Sequence, residues 1–399
     1  MVVPDKKDIH NKIEQIKIEL LNQNSTERKS LSLMSGMMGE LLFYYNYCNY
    51  IGHISPEIED RIIFILNKII SDINNGHIHS SYSGGLAGIR WGIDFLNKRE
   101  FFEIEEDDSF NKIDDYLNFE MNRFISMNDY DYLHGSIGIA LYFLEKCTEK
   151  ESYQLYIENF VKQLISNSIS TGEGKIAWKS YSPKNKSDEF NLGLSHGIPS
   201  IIVFLSKCIK KRILKDEISN YLTRSVTFLL DSKLKENQTS LFSHSDTSIK
   251  PTRLAWCYGD LGIASSIWQA GIVLNNEKWK NEAVQIMLFN ATRKDLEING
   301  VKDAGLCHGT SGIAHIFNRF YKETNKIEFY DAGNYWFNET LKMAKFHDGL
   351  ASYKTWEIED GWQNGYDLLT GICGVGLSLL GCVSNDINNL DWDACLMLS

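Results

Sequence analysis

The chain has 399 residues, of which 43% are hydrophobic and 23% charged, and it contains only 5 prolines. This composition is typical of a globular protein with a large core and excludes disordered and collagen-like chains. The 41 basic and 52 acidic residues leave a net charge of -11, which argues against a nucleic-acid-binding protein.

The sequence carries no signal for export or membrane insertion. No apolar stretch approaches the roughly 20 residues that a membrane-spanning helix needs. The first 17 residues form a charged amphipathic segment rather than a secretory signal. The 8 cysteines include no Cys-x-x-Cys pair, so no disulfide framework is predicted. We therefore expect a cytoplasmic protein without a transmembrane segment.

A short glycine motif recurs along the chain. Gly-x-x-Gly followed by an apolar run occurs in six copies, and a seventh copy has Ser200 in place of the second glycine. The first residues of the seven copies are Gly36, Gly85, Gly135, Gly197, Gly259, Gly309 and Gly371. Their spacings are 49, 50, 62, 62, 50 and 62 residues. Such a period predicts a repeat architecture with seven units.

Each unit has room for two helices of ordinary length. The segment after each motif is apolar on nearly all sides, which is typical of a buried helix. The segments between motifs carry a single apolar stripe, such as Ile58, Ile62, Ile65 and Ile69, as expected of a surface helix. The sequence therefore predicts an all-α protein with seven inner and seven outer helices.

The two ends of the array indicate how it is closed. An open solenoid needs terminal repeats with a polar outer face, but the first and last units are as apolar as the others. We therefore expect a closed ring, a double-layered α/α toroid formed by residues 1–399 as a single domain. In such a ring the glycines would let the helix starts crowd around the central axis.

Three units are longer than the rest, and their additional residues are polar, aromatic and non-helical in pattern. We interpret them as extended excursions at the rim of the ring that pair into small sheets. They cover residues 175–190, 241–253 and 348–362.

Polar side chains recur at the start of several units, close to the first glycine. Equivalent positions of a ring lie on the same face, so these side chains should meet at one pole. They are Asp131, His134, His196, Cys257, Tyr258, Cys307 and His308. Core packing explains the other six cysteines.

Three of these residues have the composition of a metal site. Cys257, Cys307 and His308 give two sulfur ligands and one imidazole, as in a catalytic zinc site with an open fourth position. Two thiolates cancel the charge of the ion, so it acidifies water weakly but would hold an incoming thiol as a reactive thiolate. The sequence therefore predicts one zinc ion per chain and activation of a thiol toward an electrophile.

Four motifs resemble those of the lanthionine synthetase C-like family, the class I lantibiotic cyclases. They are DYLHGSIGI from Asp131, LSHGIPS from Leu194, RLAWCYG from Arg253 and GLCHGTSGIAHIF from Gly305. The resemblance covers nearly the whole chain and implies an α/α toroid. It also implies an enzyme that adds precursor-peptide cysteines to dehydroalanine or dehydrobutyrine, which gives lanthionine or methyllanthionine rings.

The resemblance also implies roles for individual residues. The implied zinc ligands are Cys257, Cys307 and His308. The implied catalytic residues are His196, Asp131, Arg253 and Tyr258. His196 would protonate the enolate formed by sulfur attack, and Asp131 would either orient His196 or pair with Arg253. Tyr258 would form a hydrogen bond with the substrate or with the metal-bound sulfur.

The partners that the resemblance implies are a dehydrated lantibiotic precursor peptide with its leader and core, a lantibiotic dehydratase and an exporter. A biosynthetic complex of this kind would place the protein peripherally at the inner face of the cell membrane.

Three other functions are compatible with parts of the sequence. A protein of the same fold would add glutathione to dehydroamino acids, with the same metal site. A zinc-bearing scaffold would bind a peptide without catalysis; it predicts a fourth protein ligand and no use for His196. An α/α-barrel glycosidase needs paired carboxylates, but only Asp131 and Asp260 approach the predicted pole and the cysteines would have no purpose.

Overall fold

A computed structural model describes residues 3–23, 30–76, 78–104, 108–179, 189–235, 239–384 and 386–399. These residues form two compact units. The first unit comprises residues 1–79, 83–104 and 294–393, and the second comprises residues 80–82, 105–293 and 394–399. The prediction that the chain acts as a single domain stays a prediction.

Fourteen α-helices form within the described residues, and they alternate between two kinds. Seven of them, called core helices here, begin directly after the first glycine of a motif: α2 (Met37–Ile51), α4 (Leu86–Asn97), α6 (Ser136–Lys146), α8 (Ile198–Lys210), α10 (Asp260–Val273), α12 (Thr310–Thr324) and α14 (Ile372–Val383). The other seven, the flanking helices, are α1 (Lys6–Leu21), α3 (Pro56–Asn74), α5 (Asp108–Ser126), α7 (Glu151–Ser166), α9 (Lys215–Asp231), α11 (Glu277–Ala291) and α13 (Ile327–Lys342).

Burial separates the two kinds of helix as the hydrophobic patterns predict. Helices α8 and α14 are buried along almost their whole length. By contrast, α3 buries its predicted stripe of Ile58, Ile62, Ile65 and Ile69 and exposes Ile63 and Ile70. Because these core helices bury apolar side chains on nearly all sides, their burial contributes much of the stability of the fold.

Within each unit, neighbouring core helices pack side by side. In the first unit α12 contacts α14, α14 contacts α2, and α2 contacts α4. In the second unit α6 contacts α8 and α8 contacts α10. The last core helix of the chain therefore packs on the first one, which is the contact that closure of the repeat array requires.

The turns before the core helices share one backbone hydrogen bond. In six repeats the amide after the first glycine donates to the carbonyl six residues before that glycine, as Ile198 does to Asn191 over 2.9 Å. A Cβ at Gly197 would lie 2.2 Å from the same Asn191 carbonyl oxygen, so no side chain fits there. The first glycine thus lets its own turn fold back on the helix.

The second glycine of the motif allows close backbone packing within its own turn and against a neighbouring turn. A Cβ at Gly262 would lie 2.5 Å from the carbonyl oxygen of Trp256 and 2.8 Å from Cβ of Leu194 in the preceding turn. The expected crowding of helix starts is therefore real between neighbouring turns, but the tightest contacts lie within each turn.

Short hairpins account for two of the three predicted excursions. Strand β1 (Ile169–Gly172) pairs antiparallel with β2 (Lys175–Ala177), so the first excursion begins earlier than predicted. Residues 180–188 of that excursion lie outside the described residues. The third excursion contains the antiparallel pair β3 (Thr355–Glu357) and β4 (Gly361–Gln363). The second contains no strand within its described length, only a bridge between Ser245 and Asn191.

A 3-10 segment, Ile387–Leu396, follows α14. The residues that end this segment and follow it are buried in the second unit. There the Trp256 indole N–H donates to the Leu396 carbonyl over 2.9 Å, and Gln269 donates to the Met397 carbonyl over 2.8 Å.

Candidate active site and metal centre

The predicted site residues all lie in the turns that precede core helices. Asp131 and His134 precede α6, and His196 precedes α8. Three residues, Arg253, Cys257 and Tyr258, lie before α10, and Cys307 and His308 come directly before the glycine that begins α12. Each side chain is therefore carried on a turn whose backbone is fixed by the glycine contacts described above.

Side-chain caps that the sequence analysis missed fix three of these turns. Six residues before the first glycine stands Asp129, Asn191 or Asp303. The Oδ1 atom of each accepts the backbone N–H two residues later, over 3.2, 2.8 and 3.0 Å respectively. Short Asx side chains favour such turns. An aspartate or asparagine six residues before the glycine was the available signal.

Asp131 and His196 are in direct polar contact in the second unit. Asp131 Oδ2 lies 2.6 Å from Nδ1 of His196, and Asp131 Oδ1 accepts the backbone N–H of His134 over 2.8 Å. Their side chains are 20% and 29% exposed, so the pair is accessible from solvent. An imidazole that donates Nδ1–H to a carboxylate has a fixed tautomer and orientation, which leaves Nε2 for proton transfer.

The environment favours the protonated form of His196. Burial on its own lowers the pKa of the imidazole, but the hydrogen bond to Asp131, the charge of that carboxylate and the charge of Cys257 together raise the pKa above its usual value. An imidazolium here has a proton to donate.

The two arrangements predicted for Asp131 can now be distinguished. Among the described residues, Asp131 pairs with His196 and forms no ion pair with Arg253. Arg253 is exposed. It therefore lies at the predicted turn without supporting the carboxylate.

Two aromatic rings flank His196. The ring centroid of His134 lies 5.9 Å away with an interplanar angle of 22°, and that of Tyr258 lies 5.9 Å away at 33°. The Tyr258 hydroxyl accepts a hydrogen bond from Nδ2 of Asn191 over 2.9 Å. His134 is exposed, whereas Tyr258 is half-buried.

Backbone hydrogen bonds to neighbouring turns hold the two cysteine-bearing turns. The Cys257 carbonyl accepts the backbone N–H and the hydroxyl of Ser195, both over 3.3 Å. The Cys307 amide donates to the carbonyl of Leu369 over 2.8 Å. Both cysteines are half-buried.

The predicted metal ligands come together. The sulfurs of Cys257 and Cys307 and a ring nitrogen of His308 all lie within 4.8 Å of one another. A zinc ion with bonds of about 2.0–2.3 Å would hold its ligand atoms roughly 3.3–3.8 Å apart, which is within this limit. Among the described residues the group has three members, the number that catalytic zinc sites take from the protein.

Comparisons with known proteins identify the family of the chain. Residues 27–397 match the family described as lanthionine synthetase C-like protein. The chain belongs to this family. It is 24% identical over 431 residues to the nisin biosynthesis protein NisC of Lactococcus lactis subsp. lactis, an alignment that covers 100% of this chain and 97% of that protein.

The solved structure of a nisin cyclase has the same fold. The two structures match with a TM-score of 0.73 at 21% identity, covering 98% of this chain and 97% of the other. The predicted α/α toroid with seven inner and seven outer helices and small antiparallel strand pairs is therefore confirmed. The resemblance to lantibiotic cyclases and the enzyme class, a lanthionine synthetase that forms thioether rings, are confirmed as well.

The remaining cysteines of this lanthionine synthetase lie away from the cluster. Cys147, Cys208 and Cys395 are buried, as core packing predicts. Burial raises the pKa of Cys48 to about 11 and that of Cys382 to about 12. These thiols stay protonated at neutral pH and are poor nucleophiles or ligands.

Asp260 has a structural role. Its carboxylate is fully buried, accepts the backbone N–H groups of Leu241 and Phe242, and lies 3.2 Å from Arg293. It thereby fastens the second excursion to the start of α10. A carboxylate held in this way has no access to a sugar, which removes the second acid that the glycosidase alternative needs.

No helix of the described residues is long and apolar enough to cross a membrane.

Proposed function

We propose that this cyclase adds cysteine thiolates of a dehydrated lantibiotic precursor peptide to its dehydroalanine and dehydrobutyrine residues and that it depends on zinc. The observation that carries the proposal is the cluster of Cys257, Cys307 and His308 together with the Asp131–His196 pair. The first group provides sulfur-rich metal ligands and the second provides a proton donor. A Michael addition of a thiol needs a thiolate, which a metal bound by the first group would stabilise, and a proton for the enolate, which the second group would supply.

Zinc fits these residues because two thiolates and one imidazole form a soft ligand set with room for a substrate ligand. Cys257, Cys307 and His308 would hold it, one ion per chain. When bound, it would keep the substrate cysteine as a thiolate at neutral pH, where a free thiol with a pKa of about 8.5 is mostly protonated.

His196 would then complete the addition. As the sulfur bonds to the β-carbon, the electrons of the double bond move toward the carbonyl group and leave an enolate. The imidazolium of His196 donates its Nε2 proton to the α-carbon, and the proton released by the substrate thiol restores the imidazolium. Asp131 holds the ring for this transfer and stabilises its positive charge. Protons balance, and the product is an isomer of the substrate.

We infer the same partners as the resemblance implies: a precursor peptide with leader and core, a dehydratase that makes its dehydroamino acids, and an exporter. The net charge of -11 would favour a cationic precursor.

The activity is tested by mass spectrometry with thiol alkylation on a peptide that carries one cysteine and one dehydroalanine behind a leader. Ring closure leaves the mass unchanged and removes the alkylatable thiol. With glutathione present, the glutathione-adding alternative would increase the mass by one glutathione. A non-catalytic scaffold would produce neither change. Full retention of the alkylatable thiol after incubation with the zinc-loaded protein would refute the cyclase proposal.

The metal is tested by elemental analysis. We expect about one zinc per chain in the native protein and almost none in Cys307→Ala/His308→Ala. The matched control is Cys382→Ala/His53→Ala, which removes the same residue types at positions outside the cluster and should keep its zinc. Stoichiometric zinc in the first double variant would contradict the ligand assignment.

A further inference from the structure

Asn191 holds a position that two other repeats fill with aspartate. Asp129 and Asp303 stand at the same distance from their first glycines, and all three side chains accept the backbone N–H two residues later. A carboxylate would satisfy this turn equally well. The amide of Asn191 differs in one respect, because its second atom is a hydrogen-bond donor.

The turn determines which way the Asn191 amide points. The backbone N–H of Gly193 only donates, so the side-chain atom 2.8 Å away is Oδ1. Nδ2 then faces the hydroxyl of Tyr258 at 2.9 Å. Since an amide nitrogen only donates, the phenol oxygen accepts this bond and the phenol proton points away from Asn191.

The same turn also restrains the ring of Tyr258. A Cβ at Gly193 would lie 2.7 Å from two of its ring carbons, so the ring packs directly against the glycine. His196, three residues further on, presents its ring 5.9 Å from that of Tyr258. One turn therefore carries the proton donor and fixes both the position and the hydrogen-bond direction of Tyr258.

The position of Tyr258 is suitable for donating a hydrogen bond to the substrate. It follows Cys257 directly in the chain, and its half-buried side chain lies beside His196. During thiolate addition, negative charge moves from sulfur to the carbonyl oxygen of the dehydroamino acid. Hydrogen-bond donors that are already aimed at such a developing charge lower the barrier.

We propose that Asn191 is a positioning residue that makes Tyr258 a hydrogen-bond donor to the carbonyl oxygen of the substrate during the addition. This inference rests on the proposed cyclase function. Asn191 does not itself contact the substrate. It acts by donating to the phenol oxygen, which directs the phenol proton away from Asn191. With substrate bound, that proton would be donated to the oxygen on which charge develops.

The test replaces Asn191 with aspartate. Asp keeps the turn bond, as it does in two other repeats, but its second oxygen would accept the phenol proton and withdraw it from the substrate. On the leader-bearing peptide with one cysteine and one dehydroalanine, we expect Asn191→Asp to lower kcat about tenfold or more. KM should stay within about twofold, because the bond strengthens only in the transition state.

A double-mutant cycle separates this effect from the added negative charge. Tyr258→Phe should lower kcat to a similar extent, and Asn191→Asp should cause no further loss in the Tyr258→Phe background. Zinc content and the thermal midpoint of Asn191→Asp should match the native protein. If that variant does not fold, Asn191→Ser replaces it in the cycle, since Ser30 accepts the corresponding N–H, that of Ser32, at the same position of the first repeat.

Two results would overturn the inference while the cyclase function stands: a kcat of Asn191→Asp within about twofold of the native value, or the same relative loss with and without the Tyr258 hydroxyl. A native protein that closes no ring would refute the proposed function itself.

Discussion

Replacing Gly193 with alanine tests whether the turn before α8 sets the position of the turn before α10. The added Cβ would lie 2.7 Å from two ring carbons of Tyr258 and 2.9 Å from the carbonyl oxygen of Cys257. Contacts between such atoms are ordinarily about 3.5 Å or longer. The Tyr258 ring, the Cys257 backbone or both must therefore move by roughly 0.6–0.8 Å.

Neither group is free to move without loss. Tyr258 is held through its hydroxyl by Asn191, and the Cys257 carbonyl accepts two hydrogen bonds from Ser195. Overpacking of this kind costs about 1–3 kcal/mol of stability. Misplacement of catalytic groups by about 1 Å lowers rates by roughly a hundredfold, so we expect kcat of Gly193→Ala to fall between about tenfold and a hundredfold.

The assay measures ring closure, zinc content and the free energy of unfolding on the same preparation. The matched control is Gly333→Ala in α13, where the added Cβ would meet its nearest neighbour at an ordinary 3.5 Å. Because alanine is a better helix former than glycine, the control should gain up to about 1 kcal/mol and keep the native kcat.

A Gly193→Ala variant with native kcat, native zinc content and native unfolding free energy would show that the two turns are not coupled. A loss of activity matched by an equal loss of folded protein would show the same, because the expected effect is a displacement of the site within a folded chain.

Three further predictions concern the same turns. Asp131→Asn should lower kcat by about 10²–10⁴-fold with zinc retained, since the amide no longer stabilises the His196 imidazolium. The measurement is ring closure by the zinc-loaded variant, and a native rate would contradict this role. Removal of zinc with a chelator should abolish ring closure but leave the far-ultraviolet circular dichroism almost unchanged, and added zinc should restore activity; an active metal-free protein would refute zinc dependence. Burial raises the pKa of the Asp129 carboxyl group to about 6. The folded state therefore binds the carboxyl proton more tightly than the unfolded state does. The stability that this proton adds is fully present below about pH 4 and is lost as the pH rises through about 6. Asp129→Asn should not show this loss. After allowance for partial exposure, the free energy of unfolding of Asp129→Asn minus that of the native protein should rise by about 1–2 kcal/mol between pH 4 and pH 7, as measured by urea titration. A difference that stays constant across this pH range would contradict the assignment.

The repeat alone was sufficient to predict most of the fold. Six glycine pairs and the copy with Ser200 located all seven core helices, because a turn that folds tightly onto its helix leaves no room for a side chain at its first glycine. The same register predicted Cys257, Cys307 and His308 as one set of metal ligands; the structure offers these three as a possible ligand group, and their assignment as zinc ligands stays a prediction. Residues far apart in the chain were placed together because they occupy equivalent positions in the motif.

The sequence did not determine which side chains form hydrogen bonds with each other where several polar residues lie in neighbouring turns. Asp131 was compatible with either His196 or Arg253, and the structure shows that the carboxylate contacts the imidazole of His196. Asn191 was overlooked because its role depends on a hydroxyl 67 residues away. Likewise, no pattern predicted that Trp256 would donate to the Leu396 carbonyl, since this contact lies outside the repeat.

Two histidine–aspartate pairs in this chain show what separates a reactive site from a structural one. His315 Nε2 lies 2.8 Å from Asp393, almost the same distance as in the Asp131–His196 pair. However, both partners are almost fully buried, and Asp393 also accepts two hydrogen bonds from Arg319. This carboxylate joins two buried side chains, and a ring without solvent access meets no substrate. The pair at His196 is accessible from solvent and lies beside Tyr258, which follows the proposed metal ligand Cys257, so under the proposed function its proton is available to a substrate.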